Sequence, residues 1–398
     1  MLLDKLNKEI ESWHEDPSEF IKIPILKKSF SRSTVYSLVH ELKDLLTRLS
    51  IGQHKRPTIG FYFEDPPNHV IVNIAGQLSN IIAVPIPLEF TPVQIFSFAP
   101  YLDFILCDSE KGANFFSDSF GAKIHFDLKG TSSILVLKGK HTSSWQALDL
   151  PDEAVSVIHT SGSSDQPKGV VIARKGFDAV IQSMLSRVRP MNGVHYASIL
   201  PYSLLLEQIL GIFLPLFTKG SIALLPKSIN CYTGTQQSLD PYLATVKESQ
   251  ANFAMFPPSF LMYLQKNMEK SASNIQDHLG RSLNVVATGG APIDLSCLEF
   301  FSRHGMDVYQ GYGLSENTSV VCWNYPGPNR LGSVGRPLDH NNIRLNVQGQ
   351  IEVSGASVFL GYVSKGQFHS NNELWLNTGD IGFIDEHGFL HITGRDSN

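Results

Sequence analysis

The segment His159-Thr160-Ser161-Gly162-Ser163-Ser164-Asp165-Gln166-Pro167-Lys168-Gly169 constrains this chain more than any other, because it sets hydroxyls, glycines and one lysine between two apolar runs. Ala154-Val155-Ser156-Val157-Ile158 before it alternates like a strand, and Val170-Val171-Ile172 after it reads as a second strand. A strand-to-strand hairpin is expected, with a loop whose composition suits a polyphosphate. Backbone N–H groups freed by glycine, hydroxyl donors and an ammonium can together surround phosphate oxygens and neutralise charge as it moves in phosphoryl or nucleotidyl transfer. The P-loop of nucleoside triphosphatases is excluded. It needs Gly-Lys-Ser/Thr leading into a helix, whereas here Pro167 precedes Lys168 and Gly169 follows it. A flexible Ser/Gly linker is also a poor reading, since linkers are rarely flanked by two β-branched runs.

Further segments carry compatible chemistry. Leu283-Asn284-Val285-Val286-Ala287-Thr288-Gly289-Gly290-Ala291-Pro292 reads as a buried strand ending in a Gly-Gly turn, an edge that a flat base can approach closely. Tyr309-Gln310-Gly311-Tyr312-Gly313-Leu314-Ser315-Glu316 offers an aromatic face suited to a purine, and a carboxylate able to hold a hard cation together with phosphate oxygens. Asp380, in Trp375-Leu376-Asn377-Thr378-Gly379-Asp380, is a natural bidentate acceptor for two neighbouring hydroxyls. The chain closes on Ile392-Thr393-Gly394-Arg395-Asp396-Ser397-Asn398.

From about Gly60 to the last residue, these motifs resemble, in order, those of the adenylate-forming enzymes: acyl- and aryl-CoA synthetases, luciferases and the adenylation domains of peptide synthetases. The resemblance implies that Thr160, Ser161, Gly162, Ser163, Ser164, Lys168 and Gly169 form the ATP phosphate loop. It implies that Gly289, Gly290, Ala291 and Pro292 line the adenine pocket, with Tyr312 stacking on the base and Gly311 and Gly313 among the cofactor-binding residues. Ser315 is then expected at the α-phosphate, Glu316 and Thr160 at magnesium, Asp380 on the ribose hydroxyls and Arg395 near the ribose; Lys168, Ser315 and Glu316 are the expected catalytic residues. ATP and Mg2+ are the implied cofactors, with coenzyme A or a phosphopantetheine thiol as second substrate. The implied partners are a small carboxylic acid and, for a carrier-protein variant, an acyl carrier protein.

Two departures stand out. Asp165 replaces the family's usual glycine, which keeps a tolerance for left-handed backbone but sets a carboxylate beside a triphosphate. Leu200-Pro201-Tyr202-Ser203-Leu204 puts leucine where the family has a histidine before the acyl-pocket helix. The amine-binding aspartate segment of amino-acid-activating members has no counterpart around Leu200 to Glu207, so a fatty or aryl acid is favoured, with coenzyme A the preferred acceptor. The alternatives are adenylation that loads a carrier protein, and a non-catalytic nucleotide-binding relative. The expected organisation is a large domain over residues 1–394 and the start of a hinge at 395–398. The family's small mobile lid, with its catalytic lysine, would then lie outside this chain, which alone should bind ligands better than it turns them over.

The fold implied is α/β. Thr58-Ile59-Gly60-Phe61-Tyr62-Phe63 and Ile81-Ile82-Ala83-Val84-Pro85-Ile86, separated by a helical pattern over His69 to Leu78, indicate βαβ units and a mostly parallel sheet. The resemblance extends this to two helix-packed, mostly parallel sheets plus a small distorted β-barrel holding Gly332–Pro337, Ile351–Gly355 and Gly361-Tyr362. Ile199 to Phe217 is long and apolar, yet Glu207, Gln208 and flanking prolines make it a buried helix rather than a membrane span. A net charge of −5 without any Lys/Arg run argues against nucleic acid. Residues Met1 to Phe20 do not read as a signal or transit peptide, so a cytoplasmic location is the default. Cys107, Cys231, Cys297 and Cys322 are too scattered for a zinc site, and His387 and His391 fall on a hairpin turn and strand rather than on a metal-binding helix. Lys138–Ser144 and Lys270–Asp277 are expected as surface connections.

Overall fold

Short runs of β-branched and aromatic residues, buried on both faces, set the centres of two large sheets. The structure is a computed structural model describing residues 2–53, 55–128, 133–140, 148–160, 166–271 and 273–396. Among the described residues the first sheet has nine strands, ordered Arg336–Pro337, Cys322–Trp323, Val308–Tyr312, Val285–Thr288, Phe253–Met255, His195–Ser198, Ser221–Leu224, Glu19–Ile23 and Lys28–Ser31. It runs parallel from Val308–Tyr312 to Glu19–Ile23, and antiparallel strands cap both edges.

The second sheet, also of nine strands, is ordered Gln367–Ser370, Gly361–Ser364, Lys168–Ala173, Ala154–Thr160, Ile82–Pro85, Thr58–Tyr62, Phe104–Cys107, Ile134–Gly139 and Phe120–Phe126. Only its middle, from Ala154–Thr160 to Phe104–Cys107, is parallel, so the sheet is mixed rather than mostly parallel. Hairpin-length connections force antiparallel neighbours, whereas parallel ones need a crossover. The expected hairpin is present, with Ala154–Thr160 and Lys168–Ala173 paired antiparallel.

One continuous apolar core joins the two sheets and holds Phe61, Val72, Phe177, Tyr196 and Phe253. The helix Pro66–Gln77 is buried along its whole length. Several of its polar groups are paired inside the protein: Asn68 Nδ2 donates to Asp108 Oδ2 at 3.0 Å, Asn73 Nδ2 to the His69 carbonyl at 2.8 Å, and Arg174 to Gln77 Oε1 at 2.5 Å. The helix Arg32–Ser50 starts at Ser31, whose hydroxyl accepts from the Thr34 N–H at 3.1 Å.

Near the carboxyl end, Asn341–Leu345, Gln350–Gly355, Leu376–Ile384 and Leu390–Arg395 make a four-stranded antiparallel sheet. Ile351, Val353 and Leu390 close it against Val321, Cys322 and Val334 at the edge of the first large sheet, forming the expected small curled β-structure. Gly361-Tyr362 does not belong to it. The strand Gly361–Ser364 instead adds antiparallel to Lys168–Ala173, pairing Gly361 with Val171 and Val363 with Gly169. Gly361 makes the close approach: its φ is 152°, and a Cβ there would lie 2.1 Å from the His369 carbonyl oxygen.

Other expectations are revised by longer-range packing. Lys138 and Gly139 continue a strand rather than a surface connection, and residues 141–144 lie outside the described residues. Lys270–Asp277 spans the end of the helix Pro258–Ser271 and the start of Ile275–Leu279. The apolar segment after Leu204 is buried helix as expected, but a π turn over Ile209–Phe213 separates Leu205–Gln208 from Leu214–Phe217. Among the described residues no helix is long and apolar enough to cross a membrane. All four cysteines are free, and Cys231 is the one not fully buried. His387 sits in a turn, while His391 on the adjoining strand bonds Asp385 Oδ2 at 3.1 Å.

Substituting Gly361→Ala is expected to lower stability by about 2 kcal/mol, because a side chain there is both strained and in contact with a carbonyl. Urea unfolding of the variant beside the parent measures this.

Candidate active site

Open α/β sheets bind ligands outside the carboxyl ends of their parallel strands. Val285–Thr288 and Val308–Tyr312 are parallel neighbours, and their carboxyl ends carry the two glycine turns. The second turn is tightly packed: a Cβ on Gly313 would lie 1.6 Å from the Ser319 carbonyl oxygen. A cavity of ≈ 590 Å³ opens beside them. Its lining includes Gly289, Gly290, Ala291, Gly311, Tyr312, Gly313 and Ser315 from the glycine turns, together with Met184, Leu200, Leu204, Leu205, Leu206, Leu210, Met255 and Trp323. Pro292 comes after the first turn but is not part of this wall.

Two short networks gather the remaining expected residues. The Tyr312 hydroxyl donates to Asp380 Oδ2 at 2.6 Å, and Arg395 Nη1 stands 3.8 Å from Asp380 Oδ1, directly across the strand pair. Burial, then the hydrogen bond to Asp380, pushes the Tyr312 phenol far up, so it stays a donor. The Arg395 side chain is 76% exposed, and an ion pair so open to water contributes little by itself. In the second network the Tyr362 hydroxyl donates to Glu316 Oε1 at 2.7 Å, while Lys168 Nζ lies 5.6 Å from the centre of the same ring. Thr160 is the cross-strand partner of Lys168. Gly169 serves the sheet, since a Cβ there would meet Val157 Cγ1 at 2.7 Å. Ser161, Gly162, Ser163, Ser164 and Asp165 lie outside the described residues.

Several supporting residues escaped the sequence reading. The 3-10 turn Ser315–Asn317, which carries Glu316, is pinned from below by Asn317, Asn341 and Ser357, all buried. Asn317 Nδ2 donates to Asn341 Oδ1 at 3.0 Å, and the Ser357 hydroxyl lies 3.0 Å from Asn317 Oδ1 and 2.9 Å from Asn341 Oδ1. Asn341 Nδ2 in turn donates to the Val321 carbonyl at 3.1 Å. The signal was present only as polar residues placed where burial is needed, and its partners are remote in sequence. His159, beside the loop, stacks on Phe98 at 3.6 Å between ring centres, and burial pushes it down to about 3, so it is neutral.

Glu207 is the other omission. It is fully buried, accepting from the Tyr196 hydroxyl at 2.8 Å and the Ser198 hydroxyl at 2.6 Å. Burial pushes its carboxyl up to about 7, against the lowering effect of those two donors. Leu204, at the expected histidine position, is partly exposed and faces the cavity.

The family model for AMP-binding enzymes matches residues 26–363, most of the chain. The chain belongs to the AMP-binding enzyme family. Among its relatives, a 2-succinylbenzoate–CoA ligase of Bacillus licheniformis is 28% identical over 266 residues, 62% of this chain and 51% of that protein. Long-chain-fatty-acid–CoA ligase FadD15 of Mycobacterium bovis is 37% identical over 119 residues, 29% of this chain and 20% of that protein. The chain thus matches about half or less of the length of these curated relatives. The solved o-succinylbenzoate CoA synthetase (MenE) from Bacillus subtilis, in complex with the acyl-adenylate intermediate OSB-AMP, superposes with a TM-score of 0.72 at 18% identity. That match covers 98% of this chain and 78% of the other, and it supports the AMP-binding enzyme fold.

The Asn317 cluster and Glu207 are both open to measurement. Asn317→Ala is expected to lower stability by about 1–3 kcal/mol, since it strands buried partners, and urea unfolding reads the loss directly. Glu207 takes up a proton on folding, because its folded value of about 7 exceeds its ordinary 4.5. Its contribution is therefore full below about pH 4.5 and is lost as pH rises through about 7, a difference of about 3 kcal/mol. Glu207→Gln cannot ionise and should lose that part of the decline, so parent-minus-variant stability measured at pH 5 and pH 8 should differ.

Proposed function

We propose that this chain binds ATP and a carboxylic acid and joins them as an acyl-adenylate, which a thiol then takes up in a second step. The observation that carries this reading is the continuous cavity that joins the glycine turns and Tyr312 to a leucine-lined half. A nucleotide needs the first and an apolar acyl group the second. The apolar lining favours a fatty or aryl acid. Both curated relatives are CoA ligases by name, which favours coenzyme A over a carrier-protein phosphopantetheine as acceptor.

In the first step a carboxylate oxygen attacks the α-phosphorus, the bond to the β-phosphate oxygen breaks, and its electron pair leaves with pyrophosphate. Tyr312 would stack on adenine with Gly289, Gly290 and Ala291 at the base edge. Asp380 would accept from the ribose hydroxyls with Arg395 nearby, and Ser315 would touch the α-phosphate. Lys168 and the hydroxyls of its loop would receive the charge on pyrophosphate. Among the described residues no group of three or more His, Cys, Asp or Glu is placed to hold a metal by itself. Magnesium binds through one or two carboxylates and substrate phosphates, and here Glu316 with Thr160 would hold it. The cation would supply charge neutralisation at the transferred phosphoryl. The protein's share is then mainly alignment of the two reactants.

A second reading, nucleotide binding without catalysis, draws on Leu204 at the histidine position and on Asp165 in the loop. Thermal-shift titration with non-hydrolysable acyl-sulfamoyl-adenosines, set beside acid-dependent pyrophosphate release, separates the two. A rise in melting temperature for one acyl class, with pyrophosphate released by the matching acid, is expected. Binding of ATP with no response to any acyl analogue would favour the second reading. In the same assay Asp380→Ala should weaken AMP about tenfold or more, since it removes a charged acceptor of two hydroxyls.

A further inference from the structure

The leucine side of the cavity hangs on a single helical segment, and that segment is fastened from behind. Leu205, Leu206 and Leu210 line the cavity. Glu207, between them in sequence, turns away and receives both Tyr196 and Ser198 from the strand His195–Ser198, one donor on each carboxylate oxygen. Tyr196 and Ser198 are two apart, so they share one face of that strand. Gly211 lies one turn beyond Glu207 and presses on the same tyrosine: a Cβ there would be 3.2 Å from Tyr196 Cε1. Gln208 adds a third tie, its Nε2 donating to the Tyr202 carbonyl at 2.7 Å.

The helix is not regular across this stretch. Its hydrogen bonding passes through the π turn Ile209–Phe213, which inserts an extra residue into one turn and rotates the helix beyond it. Such a turn survives where surrounding contacts hold it. Glu207 sits just before it, fixed to the sheet through two hydroxyls that are themselves buried. A buried carboxyl is a costly way to fill space, and leucine would serve a purely apolar contact better. What the carboxyl provides is a fixed distance and rotation relative to the strand.

We infer that Glu207 is a positioning residue for the acid substrate: by holding Leu206 and Leu210 at one rotation about the helix axis, it sets the shape of the acyl half of the cavity and leaves the nucleotide half untouched. This rests on the adenylate reading above. Its sequence signal is a carboxylate in an apolar segment, which taken alone argues only against a membrane span.

The test is calorimetric binding of AMP, of acetyl-sulfamoyl-adenosine, and of the fatty or aryl acyl-sulfamoyl-adenosine that the parent chain binds best. Glu207→Leu is expected to weaken the large acyl analogue about tenfold while AMP and the acetyl analogue stay within about twofold. Glu207→Gln retains length and hydrogen-bonding capacity, and should hold the large analogue within about threefold of the parent. Equal weakening of all three ligands by Glu207→Leu, or no change in any, overturns the inference. If Glu207→Leu does not fold, Ser198→Ala decides: loss confined to the large analogue supports the role, and uniform loss or none refutes it. A parent chain that binds none of the three ligands removes the adenylate reading and this one with it, an outcome visible before any substitution is made.

Discussion

The pairing of Gly361–Ser364 onto Lys168–Ala173 is the contact on which the candidate site depends. It is a backbone ladder between segments far apart in the chain, and its register sets Tyr362 against Val170. That placement carries the Tyr362 ring to Lys168 and its hydroxyl to Glu316. A lysine, a carboxylate and a tyrosine from three separate stretches thus meet without needing a dedicated loop. The strand also covers the hairpin at Gly169, where a Cβ would lie 2.7 Å from Val157 Cγ1 and 3.4 Å from Val363 Cβ. A shift of one residue would turn Tyr362 to the opposite face and separate the three groups.

Much of this is legible in the sequence, and the reason differs by element. The hairpin and both glycine turns depend on neighbours in sequence, and alternation or glycine pairs announce them. The antiparallel addition at the edge of the second sheet depends on the remote strand Gly361–Ser364, so sequence alone assigns those residues to the small β-structure instead. The buried trio Asn317, Asn341 and Ser357 is invisible for the same reason: each residue is unremarkable alone, and only the fold makes them partners. Glu207 stands out in the sequence only for its polarity. What the helix does with that polarity depends on the hydroxyls of Tyr196 and Ser198, which come from another strand.

The small sheet at the carboxyl end is more than an appendage. Through Asn341, and through Ser357 just beyond its second strand, it holds the turn that bears Glu316, and through Asp380 and Arg395 it faces Tyr312. Its apolar face closes on Val321, Cys322 and Val334 at the edge of the large sheet. The acidic turn and the aromatic strand are therefore braced by the small sheet, whereas the leucine wall is fastened through Glu207 to the strand His195–Ser198. The leucine wall and the turn that bears Glu316 are thus fastened by different side chains, although the strands behind them belong to one sheet.

The 2.6 Å bond from Tyr312 to Asp380 fixes the aromatic ring by its far end, and on the proposed reading the group that fixes it is the carboxylate that would receive the sugar. A nucleotide entering here, as proposed, would find both groups already oriented, so little ordering would remain to oppose binding. The same bond ties their fates together. A ring that tilts to accept another base drags the carboxylate with it, and a carboxylate that moves to another sugar releases the ring. Over evolutionary change, base preference and sugar preference in such a site form a single inherited trait.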